Sequence, residues 1–217
     1  MIGQFSASLV AENRIKIVLN NDKYREEQPE IVVYQDNLQI NFNLVNKIFQ
    51  FRTNIYELEL ENEIEFGHCY RVYIKHYGYT PLNVSMATSF PDFDQKFYYE
   101  GNDLGAHYKK EATTFKVWAP LASRVVLKYA SLKKDDWQFA MMNREDKGVY
   151  VVTLKGNKEK IRYRFLVINN GMENETIDPY AFGSTANGED SVVVDFSKFK
   201  INFYDDELPR LTTPTEM

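Results

Sequence analysis

The chain reads Leu104-Gly105-Ala106 and then Thr113-Thr114-Phe115-Lys116-Val117-Trp118-Ala119-Pro120, and the second segment indicates a β-strand. Its apolar and polar residues alternate with the period of two that places successive side chains on opposite faces of a strand. Phe115, Val117 and Ala119 therefore share one face, whereas Thr114, Lys116 and Trp118 share the other. The second face is polar and should be exposed to solvent, where a large apolar ring is unusual. We therefore expect a loop, a ligand or a neighbouring domain to cover the indole of Trp118.

The same alternation occurs in the first half of the chain. Its clearest example runs from residue 56 to residue 66, with apolar side chains on one face and Glu57, Glu59, Glu61, Glu63 and Glu65 on the other. A helix would scatter both classes around its axis, so the pattern predicts a strand over the whole segment. Like charges on an open face indicate a solvated surface rather than a catalytic carboxylate pair.

Further strands are predicted at residues 113–119, 124–130, 137–142, 148–154 and 160–168. Asn169-Asn170-Gly171 predicts a hairpin turn, because Asn and Gly tolerate the positive φ that tight hairpins need. Short strands at this spacing are typical of β-sandwiches, and 217 residues accommodate two domains. We therefore predict an all-β chain with two tandem immunoglobulin-like antiparallel β-sandwich domains, at residues 1–97 and 98–200, followed by a linker at 201–217.

Composition excludes several classes of function. A net charge of −5 without a basic tract argues against a nucleic-acid partner. Lys160, Arg162 and Arg164 are predicted to form a solvent-exposed stripe, and three cations are too few to indicate such a partner. We also expect no membrane partner, because no apolar run is long enough to span one and residues 1–19 lack the pattern of a secretory signal. Cys69 is the only cysteine, so a reduced, cytoplasmic protein is predicted. The histidines lack metal-ligand spacing and no phosphate-binding glycine loop occurs, so we expect neither a metal nor another cofactor.

Two groups of residues carry a resemblance to a known family. Leu104-Gly105-Ala106 and residues 113–120 resemble the opening of the isoamylase N-terminal module, a carbohydrate-binding β-sandwich that precedes the catalytic barrel of starch- and glycogen-debranching enzymes. Ile177-Asp178-Pro179-Tyr180-Ala181, Asn187-Gly188-Glu189 and Val192-Val193-Val194-Asp195 resemble the end of that module in type I pullulanases.

The resemblance implies a debranching enzyme that cleaves α-1,6-glucosidic branches in glycogen- or starch-derived glucans with residues that this chain lacks. The catalytic barrel of such enzymes needs roughly 250 residues, more than the whole chain, and the barrel motifs of the family do not occur in the sequence. We therefore expect a non-catalytic N-terminal fragment, inactive alone, that docks on the catalytic barrel of the same polypeptide. Trp118 is a candidate contact between domains.

The resemblance also implies a site for an α-glucan such as glycogen, pullulan or a maltodextrin, because an exposed aromatic ring beside hydrogen-bonding side chains suits a sugar. Trp137 matches a sugar-stacking Trp of the glycogen-binding members, Arg164 a sugar-contacting Lys, and Asn187 an Asn. Glu175 stands where those members carry a second stacking Trp. Two alternatives stay open, a stand-alone glucan-binding module and a protein-interaction β-sandwich that uses the glutamate face at residues 57–65.

Overall fold

A computed structural model describes residues 5–20, 29–50 and 52–199 of the chain. These residues contain eighteen β-strands and one short α-helix, so the predicted all-β class is confirmed. The linker predicted at residues 201–217 lies outside the described residues. Within the described ranges, no helix is both long and apolar enough to cross a membrane.

The first half of the chain forms one sandwich. Its strands are β1 (Phe5–Ala11), β2 (Arg14–Asn20), β3 (Ile31–Gln35), β4 (Leu38–Ile40), β5 (Phe42–Gln50), β6 (Thr53–Leu60), β7 (Tyr70–Ile74) and β8 (Gly78–Asn83). They are hydrogen-bonded in the order β4-β3-β7-β8-β1-β2-β6-β5, with a parallel pair between β1 and β8. Val33 of β3 and Leu58 of β6 belong to the same buried apolar cluster, so the two ends of this path pack face to face.

The strand predicted over residues 56–66 is wrong beyond Leu60, where β6 ends. After that residue the backbone turns, and the Ile64 amide donates to the Glu12 carbonyl at 2.9 Å. On β6 itself, Glu59 pairs with Arg14 at 3.2 Å, and Glu57 accepts a hydrogen bond from Asn46 at 3.2 Å. The expected open face of five glutamates is therefore not formed.

The second half of the chain forms two further sheets. Its strands are β9 (Gly105–Tyr108), β10 (Ala112–Trp118), β11 (Arg124–Ser131), β12 (Gln138–Met141), β13 (Asn143–Arg144), β14 (Val149–Lys155), β15 (Ile161–Asn169), β16 (Met172–Thr176), β17 (Gly183–Ser184) and β18 (Ser191–Val192). One sheet has the order β13-β14-β10-β9, and the other has the order β12-β11-β15-β18-β17 with β16 also paired to β15. The five strands predicted here correspond to β10, β11, β12, β14 and β15 within one residue at each end.

The two sheets enclose a second apolar core. Phe115 and Val117 of β10 face Leu127 of β11 and Phe165 of β15, and all four side chains are buried. The face assignment made for residues 115 and 117 is thus confirmed. Two immunoglobulin-like sandwiches, each with its own apolar cluster, account for the described chain.

The sandwiches are joined by a short helix and by direct contacts. Helix α1 (Phe93–Phe97) follows the first sandwich, and Leu121 of the second sandwich packs against the first core. The side chain of Asn170, in the β15–β16 turn, accepts a hydrogen bond from the Tyr70 amide at 2.9 Å and donates one to the Leu82 carbonyl at 2.6 Å. The domain boundary between residues 97 and 98 stays a prediction.

Candidate functional site

The outward face of the β12-β11-β15 sheet carries a set of charged side chains, which we call the charged face: Lys128, Arg162, Arg164, Glu175 and Asp190. Lys128 of β11 lies directly opposite Arg164 of β15 in the strand register. Their neighbours in the chain, such as Leu127 and Phe165, point the other way into the core. The period of two therefore places basic side chains together outside while apolar ones fill the interior.

These charges form a continuous network. Lys128 donates to both carboxylate oxygens of Glu175, at 2.9 and 3.1 Å, and Arg164 Nη1 donates to Glu175 at 2.9 Å. Arg164 Nε also donates to Asp190, which in turn accepts from Arg162 Nη1 at 3.2 Å. Asp190 is buried, with its side chain only 2% exposed, so its two arginine partners are needed to offset the cost of desolvation.

The position of Glu175 within this network alters its acidity. Partial burial acts to raise the pKa of this carboxyl group, but hydrogen bonds and charge from Lys128 and then from Arg164 outweigh it and leave the pKa lowered. Glu175 is thus held as an anion between two cations. It supplies hydrogen-bond acceptors to the face rather than a flat ring.

Trp137 lies at the edge of the charged face, immediately before β12. The guanidinium of Arg162 is 4.5 Å from the centre of its ring, and the ammonium of Lys128 is 4.6 Å from it. Both distances are typical of cation–π contacts, which hold the ring in place while it stays partly exposed. A positioned, partly exposed indole beside charged hydrogen-bonding groups is suited to contact a pyranose ring.

The structure brings two of the three predicted sugar-contact residues into one cluster. Trp137 and Arg164 are linked through Lys128, which contacts the ring of one and shares Glu175 with the other. Asn187 is exposed in the turn between β17 and β18, with a φ of 66°. This turn leads to Asp190, whose backbone amide donates a hydrogen bond to the Thr185 hydroxyl oxygen at 2.9 Å.

Sequence reasoning missed Arg162 and Lys128 as parts of this cluster. Alternation along β15 indicated that Arg162 and Arg164 share a solvent face, but the side chain of Arg162 is only 17% exposed. It is covered by Trp137 and held by Asp190, Asp135 and the Lys134 carbonyl, the last at 3.0 Å. The prediction that Arg162 lies in a solvent-exposed stripe is therefore wrong, because the partners that cover it come from distant strands and loops.

Trp118 lies on the outward face of β10, as predicted, and 37% of it is exposed. Its indole N–H donates to the carbonyls of Phe97 at 3.0 Å and Lys147 at 3.1 Å. Lys147 donates in turn to the Gln95 carbonyl at 3.1 Å. Helix α1 and a turn of the second sandwich therefore cover part of the indole.

Other clusters in the described residues do not assemble a reactive centre. Within those ranges, no group of three or more His, Cys, Asp or Glu side chains is arranged to hold a metal ion. His68 pairs with Asp36 at 2.7 Å rather than with the adjacent Cys69. Burial raises the pKa of Asp178, but this carboxyl accepts hydrogen bonds from Tyr163 at 2.7 Å and the Tyr180 amide at 2.8 Å, which assigns it to the core.

Residues 103–181 match the family model of carbohydrate-binding module 48, the isoamylase N-terminal domain. A pullulanase of Bacillus subtilis (strain 168) is 39% identical over 136 residues, which are 62% of this chain and 18% of that protein. The resemblance to the N-terminal region of type I pullulanases is confirmed. A 1,4-alpha-glucan branching enzyme of Aquifex aeolicus is 32% identical over 102 residues, or 42% of this chain and 16% of that enzyme.

Solved pullulanase structures extend the likeness to the first sandwich. The crystal structure of a pullulanase from Anoxybacillus sp. LM18-11 complexed with maltotriose has a TM-score of 0.82 and 31% identity over 92% of this chain. The type I pullulanase of Bacillus subtilis str. 168 complexed with maltose has a TM-score of 0.81 and 28% identity over the same share. The chain spans 29% and 28% of those two structures, less than a third of either pullulanase.

Proposed function

We propose that this chain is the non-catalytic N-terminal part of a pullulanase-type glycoside hydrolase and that its second sandwich contacts the α-glucan. The enzyme would cleave α-1,6-glucosidic branches in glycogen- or starch-derived glucans with residues of the catalytic barrel. The observation that carries the proposal is the partly exposed ring of Trp137, which makes cation–π contacts with Lys128 and Arg162; these three residues all lie within the carbohydrate-binding module match. The maltotriose and maltose complexes of similar pullulanases support this choice of ligand.

The charged face explains how such a ligand would be held. A glucose ring has a flat apolar side, which can stack on the indole of Trp137, and a rim of hydroxyl groups. Arg164 offers donors and Glu175 offers acceptors to that rim, and both are already oriented by their mutual hydrogen bond of 2.9 Å. Since their side chains are ordered before the sugar arrives, less conformational entropy is lost on binding. Asn187 would add an amide from the neighbouring turn.

We propose in addition that the two sandwiches dock on the catalytic barrel of the same polypeptide. Trp118 retains an exposed fraction that a barrel surface would cover. A second apolar surface is formed by Phe182, Phe196 and Phe199, which are 71%, 54% and 63% exposed, with the first two rings 4.7 Å apart. Exposed aromatic clusters of this kind favour a protein contact. A cytoplasmic location, motivated by the single cysteine, stays part of the proposal.

Titration of the chain with maltoheptaose, followed by NMR chemical shifts, tests the glucan contact. The expected result is saturable binding that Trp137→Ala weakens at least about tenfold, since a stacked ring and its ordered neighbours are lost. Phe49→Ala is the control, because Phe49 is 59% exposed on the first sandwich, away from the charged face. Absence of binding at millimolar maltoheptaose would refute the glucan contact.

Hydrolysis of pullulan tests the enzymatic part. The chain alone should release no reducing sugar, whereas a polypeptide extended to the length of the similar pullulanases should release maltotriose units. An extended polypeptide without debranching activity would contradict the proposal. Binding of maltoheptaose without any such activity would favour a stand-alone glucan-binding module.

A further inference from the structure

An exposed apolar stripe continues the candidate glucan site along the edge strand β12. Phe139 is 60% exposed and Met141 is 56% exposed, although both are large apolar side chains. Trp137 directly precedes the strand, so residues 137, 139 and 141 alternate onto one side of it. An edge strand with two exposed apolar side chains in succession is uncommon, because protein surfaces limit such patches unless they make a contact.

The strand register places this stripe on the same side of the sheet as the charged face. Phe139 lies opposite Lys128, and Met141 lies opposite Val126. Lys128 in turn lies opposite Arg164, so one row across the sheet contains Phe139, Lys128 and Arg164. The Phe139 ring therefore borders the side chains that hold Glu175.

The stripe and the network together form a surface with two kinds of contact. Along β12, at the edge of the sheet, the surface is apolar. Towards β11 and β15 it offers charged hydrogen-bond donors and acceptors. Alternate residues of a strand are separated by roughly 6.5–7 Å, which is longer than one pyranose ring. A sugar stacked on Trp137 would thus leave Phe139 free for a later residue of the same glucan.

We propose that Phe139 is a second apolar platform of the glucan site and makes this site prefer longer α-glucans over a disaccharide. The proposal rests on the glucan contact proposed above. Maltose would contact the Trp137 end alone, whereas maltoheptaose would extend along β12 and cover the Phe139 ring. The hydroxyl rim of the longer chain would face Lys128 and Arg164.

NMR titrations with maltose and maltoheptaose, on the whole chain and on Phe139→Ala, test this inference. The variant should bind maltoheptaose roughly 3- to 10-fold more weakly, as expected for one lost aromatic contact, and maltose within about 2-fold of the original chain. Phe139→Tyr should restore maltoheptaose binding because it keeps the ring. Phe49→Ala, which removes a ring of matched exposure, should leave both affinities unchanged.

Three results would overturn the inference in distinguishable ways. If Phe139→Ala behaves like Phe49→Ala while Trp137→Ala loses binding, the glucan contact stands and the second platform is refuted. Equal losses for both sugars would place Phe139 beside the same sugar as Trp137 and refute the length preference. If the original chain binds neither sugar, the second platform and the proposed glucan contact both fall. An unchanged thermal unfolding midpoint for Phe139→Ala establishes that the fold is retained.

Discussion

Replacing Asn170 with glycine removes the side-chain amide that joins the two sandwiches. Asn170 is buried, and its amide connects two backbone groups of the first sandwich, the N–H of Tyr70 at 2.9 Å and the C=O of Leu82 at 2.6 Å. These partners are 100 and 88 residues away in the chain, so the contact belongs to the tertiary structure alone. We expect Asn170→Gly to weaken the coupling between the sandwiches.

The expected magnitude follows from the two hydrogen bonds. A buried donor or acceptor that loses its partner costs about 1–3 kcal/mol, so the variant should lose roughly 2–4 kcal/mol of unfolding free energy. Glycine is chosen because Asn170 has a φ of 50°. Alanine there would add strain from the left-handed conformation, whereas glycine adopts it freely.

Urea unfolding followed by circular dichroism measures this loss, with Asn187→Gly as the matched control. Asn187 also has a positive φ, 66°, but it is exposed, so its replacement should change stability by less than about 0.5 kcal/mol. Hydrogen exchange of the Tyr70 amide should accelerate in Asn170→Gly only. Equal stabilities for the two variants, with unchanged exchange at Tyr70, would refute the reasoning.

Two further predictions concern the second sandwich. Gly148→Ala should lower the unfolding free energy by about 3 kcal/mol or more, since Gly148 has a φ of 75° and an added Cβ would lie 2.4 Å from Pro120 Cα. Gly156→Ala is the control, because Gly156 has a φ of 81° but an added Cβ would meet no atom within 4 Å. Thermal unfolding should show a loss of only about 1–2 kcal/mol for this control. Similar losses for both glycine variants would contradict the role of the close approach. Because the folded-state pKa of Glu175 is lowered, its ionisation stabilises the fold above the ordinary carboxyl pKa, and this contribution is lost as the pH falls through the folded-state value. The unfolding free energy, measured as a function of pH, should therefore be lower for Glu175→Gln than for the original chain at pH 7. This difference should shrink at acidic pH. A difference that does not change with pH would show that the charge of Glu175 is not its source.

Part of the candidate site could be predicted from the sequence. Trp137 and Arg164 were identified from the resemblance, and the structure places both at one face. The prediction that Arg162 is solvent-exposed was wrong, because alternation indicates only which face of a strand a side chain occupies. It says nothing about the Trp ring or the Asp190 carboxylate that arrive from other segments and bury it.

The strand predicted over residues 56–66 was wrong beyond Leu60 for a related reason. Alternation there continues past Leu60, yet the strand ends where its partner backbone ends, and the next residues bond to the turn between β1 and β2 instead. Pattern alone indicates that a segment can form a strand. The length of the strand depends on the availability of a partner for each backbone group.

The sequence by itself determined the class of fold, the five strands around the second core and the β15–β16 turn, because these depend on side-chain period and on local backbone preference. The tertiary structure alone decided which outward-facing charges meet. Lys128 and Glu175 are 47 residues apart in the chain and 2.9 Å apart in the sheet. The register of β11, β15 and β16 brings them together, and it is selected by the burial of the opposite face, where Leu127, Tyr163 and Phe165 pack into one core.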